Sequence, residues 1–118
     1  MTTLAETLQQ ILSPLASGGA WAVLAGQGAV PPFIVYRRIP SAVLNIVDGT
    51  PPRDNNHVQI DVYARTYAQA DQISQVIDVA LYAAVSPDFG CIQISSPSDD
   101  VDPDTRLYRI MTEFSIWT

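Results

Sequence analysis

The densest group of potential ligands in this 118-residue chain is the run 98–104, Ser-Asp-Asp-Val-Asp-Pro-Asp, with carboxylates at Asp99, Asp100, Asp102 and Asp104. A calcium loop needs oxygens at alternating positions, a glycine for the sharp turn and a late bidentate glutamate. Asp100, Asp102 and Asp104 supply only the alternation: Pro103 is the wrong kind of residue there, and the next glutamate is Glu113. A solvated acidic hairpin loop fits the run better than a cation site. His57, the single histidine, would need a nucleophile or carboxylate in reach to act as a general base. Asp61 shares its face of an extended strand but lies four residues on, about 13 Å away at the rise of a strand. Cys91 is the single cysteine, which excludes a disulfide framework and a cysteine-based zinc site. In an apolar strand it reads as a small buried hydrophobe. Asp71 answers to the dipole of a helix start, and Asp78 stands on a polar helix face. The stretch 18–26 begins and ends in glycine but has neither the spacing nor the lysine of a phosphate-binding loop. No catalytic residue, metal site or cofactor site is expected.

Composition narrows the partners. Twelve acids against six bases, all six arginine, leave a net charge of −6, and the sequence pI is near 4.3. A protein that grips phosphates needs a basic patch, so sequence-specific nucleic-acid binding is not expected. Tyr36, Tyr63, Tyr67, Tyr82, Tyr108 and Phe114 lack the interleaved basic residues of a base-stacking platform, and packing or subunit contact explains them more simply. Charged residues make up 15% of the chain, where about 25% is usual for a soluble domain. So few charges suggest that part of the surface is covered by something else, and self-association is the simplest candidate. The apolar region 15–36 is broken by Gly18, Gly19, Gly26, Gly28, Pro31 and Pro32, too often for a spanning helix. With no signal segment at Met1-Thr-Thr-Leu-Ala-Glu, the chain reads as a soluble protein of a reducing cytoplasm.

The elements that would hold these residues follow from apolar periodicity. Thr3 and Glu6 form a capping box for a first helix, whose stripe is Leu4, Leu8, Ile11, Leu12 and Leu15. Pro14 bends or ends that helix, and Gly18-Gly19 caps it. Residues 21–30 read as irregular or weakly extended, and a strand follows the double proline over 33–39. A short strand over 42–47 and a loop over 50–56 come next.

The run from His57 to Leu81 is the most informative. Val58, Ile60, Val62 and Ala64 alternate with His57, Gln59, Asp61 and Tyr63, so a strand buries one face. Thr66 and Gln69 then cap a helix whose stripe is Ala70, Ile73, Ile77, Ala80, Leu81 and Ala84. The run 86–88, Ser-Pro-Asp, ends it. Two strands, 91–95 and 106–117, are joined by the polar segment 96–105. In the last, Tyr108, Ile110, Thr112, Phe114 and Ile116 share one face; Leu107, Arg109, Met111, Glu113 and Trp117 share the other. This order predicts a single domain over 1–118 of the α+β class, a two-layer fold with a mainly antiparallel sheet and two helices on one face.

The pattern Val-Gln-Ile-Asp-Val-Tyr-Ala-Arg-Thr-Tyr from Val58, with its following helix, is preceded by Pro31-Pro32 and the aromatic-bearing strand to Ile39. Together they resemble the tail-completion family of tailed bacteriophages and prophages, whose relatives include the lambda-type tail terminators. The resemblance covers most of the chain, from the N-terminal helix to the strand ending at Trp117. It implies a structural virion protein that forms a ring, commonly a hexamer, capping the tail tube and joining it to the head connector. The partners implied are other copies of the chain, the tail tube protein and connector or neck proteins, with no membrane. It would occupy the host cytoplasm during assembly and then the virion tail.

The candidate contact surface is the second sheet face: Arg37, Gln59, Asp61, Tyr63, Arg109, Met111, Glu113 and Trp117. Ordinary cross-strand pairing of Asp61 or Glu113 with Arg37 or Arg109 is the competing account of these residues. The acidic run with Asp99, Asp100, Asp102 and Asp104 is a candidate for the lumen or rim of a ring. Two further readings stay open: a head–tail neck or adaptor protein, and a small enzyme or ligand-binding domain using His57, Asp61 and Tyr63.

Overall fold

Two threonines set the starts of the helices in the computed structural model, which describes residues 3–39, 55–87 and 89–117. The Thr3 hydroxyl accepts from the Glu6 N–H at 3.2 Å and opens α1, Leu4–Leu12. Pro14 cannot donate to an α-helical ladder, and the chain tightens there into a 3-10 turn, Ser13–Leu15. Thr66 accepts from the Gln69 N–H at 3.2 Å and opens α2, Tyr67–Ala83. Past its end, Ser86 and Phe89 exchange backbone hydrogen bonds of 2.8 and 3.2 Å and turn the chain back.

Among the described residues six strands form one sheet: β1 (Ala20–Ala22), β2 (Phe33–Ile39), β3 (Asn55–Ala64), β4 (Gly90–Gln93), β5 (Ser98–Val101) and β6 (Tyr108–Trp117). Their order is β1-β2-β3-β6-β4, with β5 also on β6; all pairs are antiparallel except β1–β2. Both helices pack on one face. Leu8 and Leu12 of α1 and Ile73, Ile77 and Leu81 of α2 join a single buried cluster with Ile34, Tyr36, Val58, Ile60, Val62, Ile110, Phe114 and Ile116. Each such side chain contributes roughly 1.5–3 kcal/mol by leaving water. The fold is α+β with two layers, as the period-2 and period-3.6 runs predict.

Four details differ from the sequence reading. Residues 21–30, read as irregular or weakly extended, open on a short defined strand, since Ala20–Ala22 lies parallel to Ile34–Tyr36. Asn55 and Asn56, expected in a loop, are the first rungs of β3, opposite Trp117 and Ile116. Within 96–105, expected to be a loop, Ser98–Val101 is a strand on β6. The last strand begins at Tyr108 rather than Arg106, whose φ of 61° turns the chain into it. The strand expected over 42–47 lies outside the described residues.

β4 and β5 are two halves of one edge. Gln93 faces Phe114 and Ser98 faces Met111, so the four residues 94–97 stand opposite only 112 and 113, a bulge. The Ser95 hydroxyl accepts from the Glu113 N–H at 3.1 Å, replacing a ladder carbonyl. At the other edge, the Gly18 N–H donates to the Pro32 carbonyl at 2.7 Å. A Cβ on Gly18 would lie 2.0 Å from the Val30 oxygen, so this crossing requires glycine.

Candidate functional site

The eight residues expected on the second sheet face do share one, and β-ladder register sorts most of them into rungs. Phe33, Tyr63 and Arg109 form one, Val35, Asp61 and Met111 the next, then Arg37, Gln59 and Glu113. Trp117 stands further along, opposite Asn55. Among the described residues no helix covers this face, since α1 and α2 both pack on the other.

Its centre is a polar cluster in which the Asp61 carboxylate is paired while Arg109 Nε is buried with no hydrogen-bond partner. Asp61 is only 3% exposed. Its carboxylate accepts from the Gln59 amide at 2.9 and 3.2 Å and from Arg109 Nη2 at 2.9 Å, which is also an ion pair. Burial by itself would lower the Arg109 pKa, but the Asp61 carboxylate holds the guanidinium above its usual value. The guanidinium also lies 5.7 Å over the Tyr63 ring, which stacks on Phe33 at 5.1 Å. Burial raises the Tyr63 phenol. The cross-strand pairing weighed for Asp61 therefore forms, with Arg109 as its partner. Arg37 and Glu113 flank Gln59 on either side.

A cleft of about 280 Å³ opens at one end of the face, lined by Val23, Leu24, Phe33, Val35, Tyr63 and Leu107 among others. It takes in Tyr63 but neither His57 nor Asp61, so the three residues of the enzyme reading do not meet there. Asp61, committed to Gln59 and Arg109, is placed as a structural acceptor rather than a base. Cys91 is buried, and desolvation with help from Asp78 raises its pKa, which suits an inert thiol.

The acidic run divides. Asp99 faces the helices and accepts from the Tyr67 hydroxyl at 3.0 Å, which raises the Tyr67 pKa. Asp100 shares the rung of Arg109 on the second face. Asp102 and Asp104 lie in the turn to β6, where the Asp104 N–H donates to Asp102 at 2.9 Å and holds that carboxyl below its usual pKa. Among the described residues no three His, Cys, Asp or Glu side chains are grouped to hold a metal ion. None of their helices is long and apolar enough to cross a membrane.

Sequence reasoning missed Phe33, Val35, Ile92 and Asp100 as members of this face. Phe33 and Val35 were within reach, because they alternate with Ile34 and Tyr36 ahead of Arg37. Ile92 and Asp100 needed the register across the bulge.

The described residues form a two-layer α+β domain with its helices on one side and a polar-aromatic sheet face on the other. The chain belongs to the family of the Tail completion protein gp17, whose model matches residues 8–118. It is thus a structural protein of the phage tail, a member of the virion working against other tail components. Comparison with curated proteins gives no match.

Proposed function

We propose that the protein is a tail-terminator subunit: copies close into a ring on the end of the tail tube, stop its growth and present a surface to the head connector. The observation that supports this reading is the second sheet face, which neither α1 nor α2 packs against, with buried Asp61 and stacked Phe33, Tyr63 and Arg109, in a chain of a tail-completion family. A sheet face with aromatics, a methionine and arginine resembles the buried part of a protein contact more than a wet surface. The contact would be heterologous, one patch meeting a different patch on the next copy, so that rotation closes the ring. Copies, tail tube protein and connector proteins are its partners in this reading, and its place is the host cytoplasm and then the tail.

Deletion of the gene tests it. Phage lacking the protein are expected to accumulate tails of uncontrolled, excessive length under the electron microscope. Tails of normal length that fail to join heads would replace this reading with that of a neck adaptor.

A further inference from the structure

Among the described residues, two that are not glycine hold a left-handed backbone: Val23 with φ 68° and Arg106 with φ 61°. Distant in the chain, they come together at one place. Val23 lines the cleft at the end of the second sheet face, and Arg106 stands between Thr105 and Leu107, which line it too. A β-branched side chain strongly disfavours this conformation, and such strain collects at binding sites. Hydrogen bonds hold both turns in place. The Val23 N–H donates to the Tyr36 carbonyl at 2.8 Å and the Leu24 N–H to the Ala22 carbonyl at 2.7 Å. The Arg106 N–H donates to the Asp102 carbonyl at 2.8 Å, and the Asp102 N–H to the Leu107 carbonyl at 2.9 Å.

We propose that this cleft is an anchor site for another protein of the tail: one bulky apolar side chain of the partner fills it against Phe33, Tyr63 and Leu107, and an arginine or lysine beside that side chain pairs with Asp102. The inference rests on membership of the tail family and not on ring closure, so it holds for a terminator and for a neck adaptor alike.

Three observations select this occupant. The wall is apolar apart from Asp102 and Thr105, and about 280 Å³ suits a single large side chain rather than a helix. Apolar surface also continues out of the cleft, since Val23 is 67% and Leu24 79% accessible, in a stretch from Thr7 to Tyr36 that has no charged residue. A protein partner uses such a border, and a small molecule enclosed in a pocket does not. Charge is the third. The Asp104 N–H orients the Asp102 carboxylate at 2.9 Å, and Arg109, whose field reaches it, has Nη2 committed to Asp61. The segment around it sets Asp99, Asp100, Asp102 and Asp104 against Arg106. Complementarity therefore calls for a cationic partner, and a second copy of a chain of charge −6 meets that need poorly.

NMR titration of the isotope-labelled full chain with capped dipeptides tests this. Acetyl-Leu-Arg-amide is expected to shift the Leu24, Asp102 and Leu107 amides saturably. Acetyl-Leu-Glu-amide should bind about three- to fivefold more weakly, as the loss of an exposed ion pair predicts. Acetyl-Gly-Arg-amide should bind about tenfold more weakly or worse, as the loss of a buried leucine predicts. Asp102→Asn should bring the first two peptides to equal affinity with the rest of the spectrum unchanged, because the carboxylate sets selectivity more than strength. Leu24→Asp, at an exposed position, should keep its Tm within a few degrees and lose co-sedimentation with tails purified from phage lacking the gene. The inference is overturned if no peptide shifts the cleft amides saturably, or if the unmodified chain binds Leu-Arg and Leu-Glu peptides equally. Tail binding that is absent, or indifferent to Leu24→Asp, also overturns it. So does self-association that Leu24→Asp abolishes, which would put a second copy in the cleft. Overlong tails in the deletion phage beside an inert cleft would leave the terminator reading standing and remove this one; selective peptide binding with tails of normal length would do the reverse.

Discussion

At the scale of single residues, Asp61 shows how the second face holds its shape. A carboxylate 3% exposed is tolerable because Gln59 and Arg109 occupy its oxygens. Removing the cation leaves a buried charge with one amide for company. Arg109→Ala is expected to lose about 2–4 kcal/mol, read by urea denaturation, more than an ordinary exposed ion pair would account for. Asp78 is the opposite case, since its Oδ1 is buried with no hydrogen-bond partner and desolvation raises its pKa. A carboxyl whose folded pKa is raised binds its proton more tightly in the native state. Stability therefore falls as pH rises from the ordinary carboxylate pKa through the folded one, and the penalty persists at neutral pH. Asp78→Asn should have the higher Tm at pH 7 by scanning calorimetry, with the difference closing toward pH 4. The side on which Asp61 stands was legible from alternation with Val58, Ile60 and Val62. Its partner was not, because Arg109 is 48 residues away and only the β3–β6 register brings the two together.

At the scale of elements, legibility follows how local the cause is. α2 and β3 declare themselves, since a threonine cap and a clean change of period lie within a few residues of each other. β1 does not. Ala-Trp-Ala has little propensity of its own, and its partner strand begins beyond a long excursion that includes a valine at φ 68°. β5 is similar: Ser-Asp-Asp-Val is fully exposed and reads as loop, and the β6 ladder makes it a strand. The excursion before β2 is held at Gly18, which passes against the Val30 and Pro32 oxygens. Gly18→Ala must push backbone oxygens aside and give up the bond from its N–H to Pro32. A loss of about 3 kcal/mol or more in chemical denaturation is expected, with Gly19→Ala as a comparison whose cost comes from its φ of 80° instead.

At the scale of the whole molecule, charge is unevenly placed: Asp99, Asp100, Asp102 and Asp104 gather near one turn. In a ring these carboxylates would form an acidic rim or passage, where DNA phosphates are repelled rather than trapped. Replacing all four with asparagine should leave ring formation and tail-length control unchanged, as judged by electron microscopy of complemented phage. Loss of the ring would show that the carboxylates hold subunits together and would remove them from the passage. The Tyr67–Asp99 bond gives the variant a second readout, since the Tyr67 phenol should titrate lower once the carboxylate is gone.

The α+β class, the two capped helices, the buried side of β3 and the scarcity of charge were determined by the sequence alone. Each depends on residues near one another along the chain or on composition. The family membership rests on the same kind of local pattern. Only the tertiary structure decided the rungs of the second face, the parallel β1, the split of the acidic run and the cleft that Val23 shares with Leu107. These depend on which strand lies beside which and in what register. Pairing between distant segments is fixed by packing the core as a whole, and no window of sequence contains it.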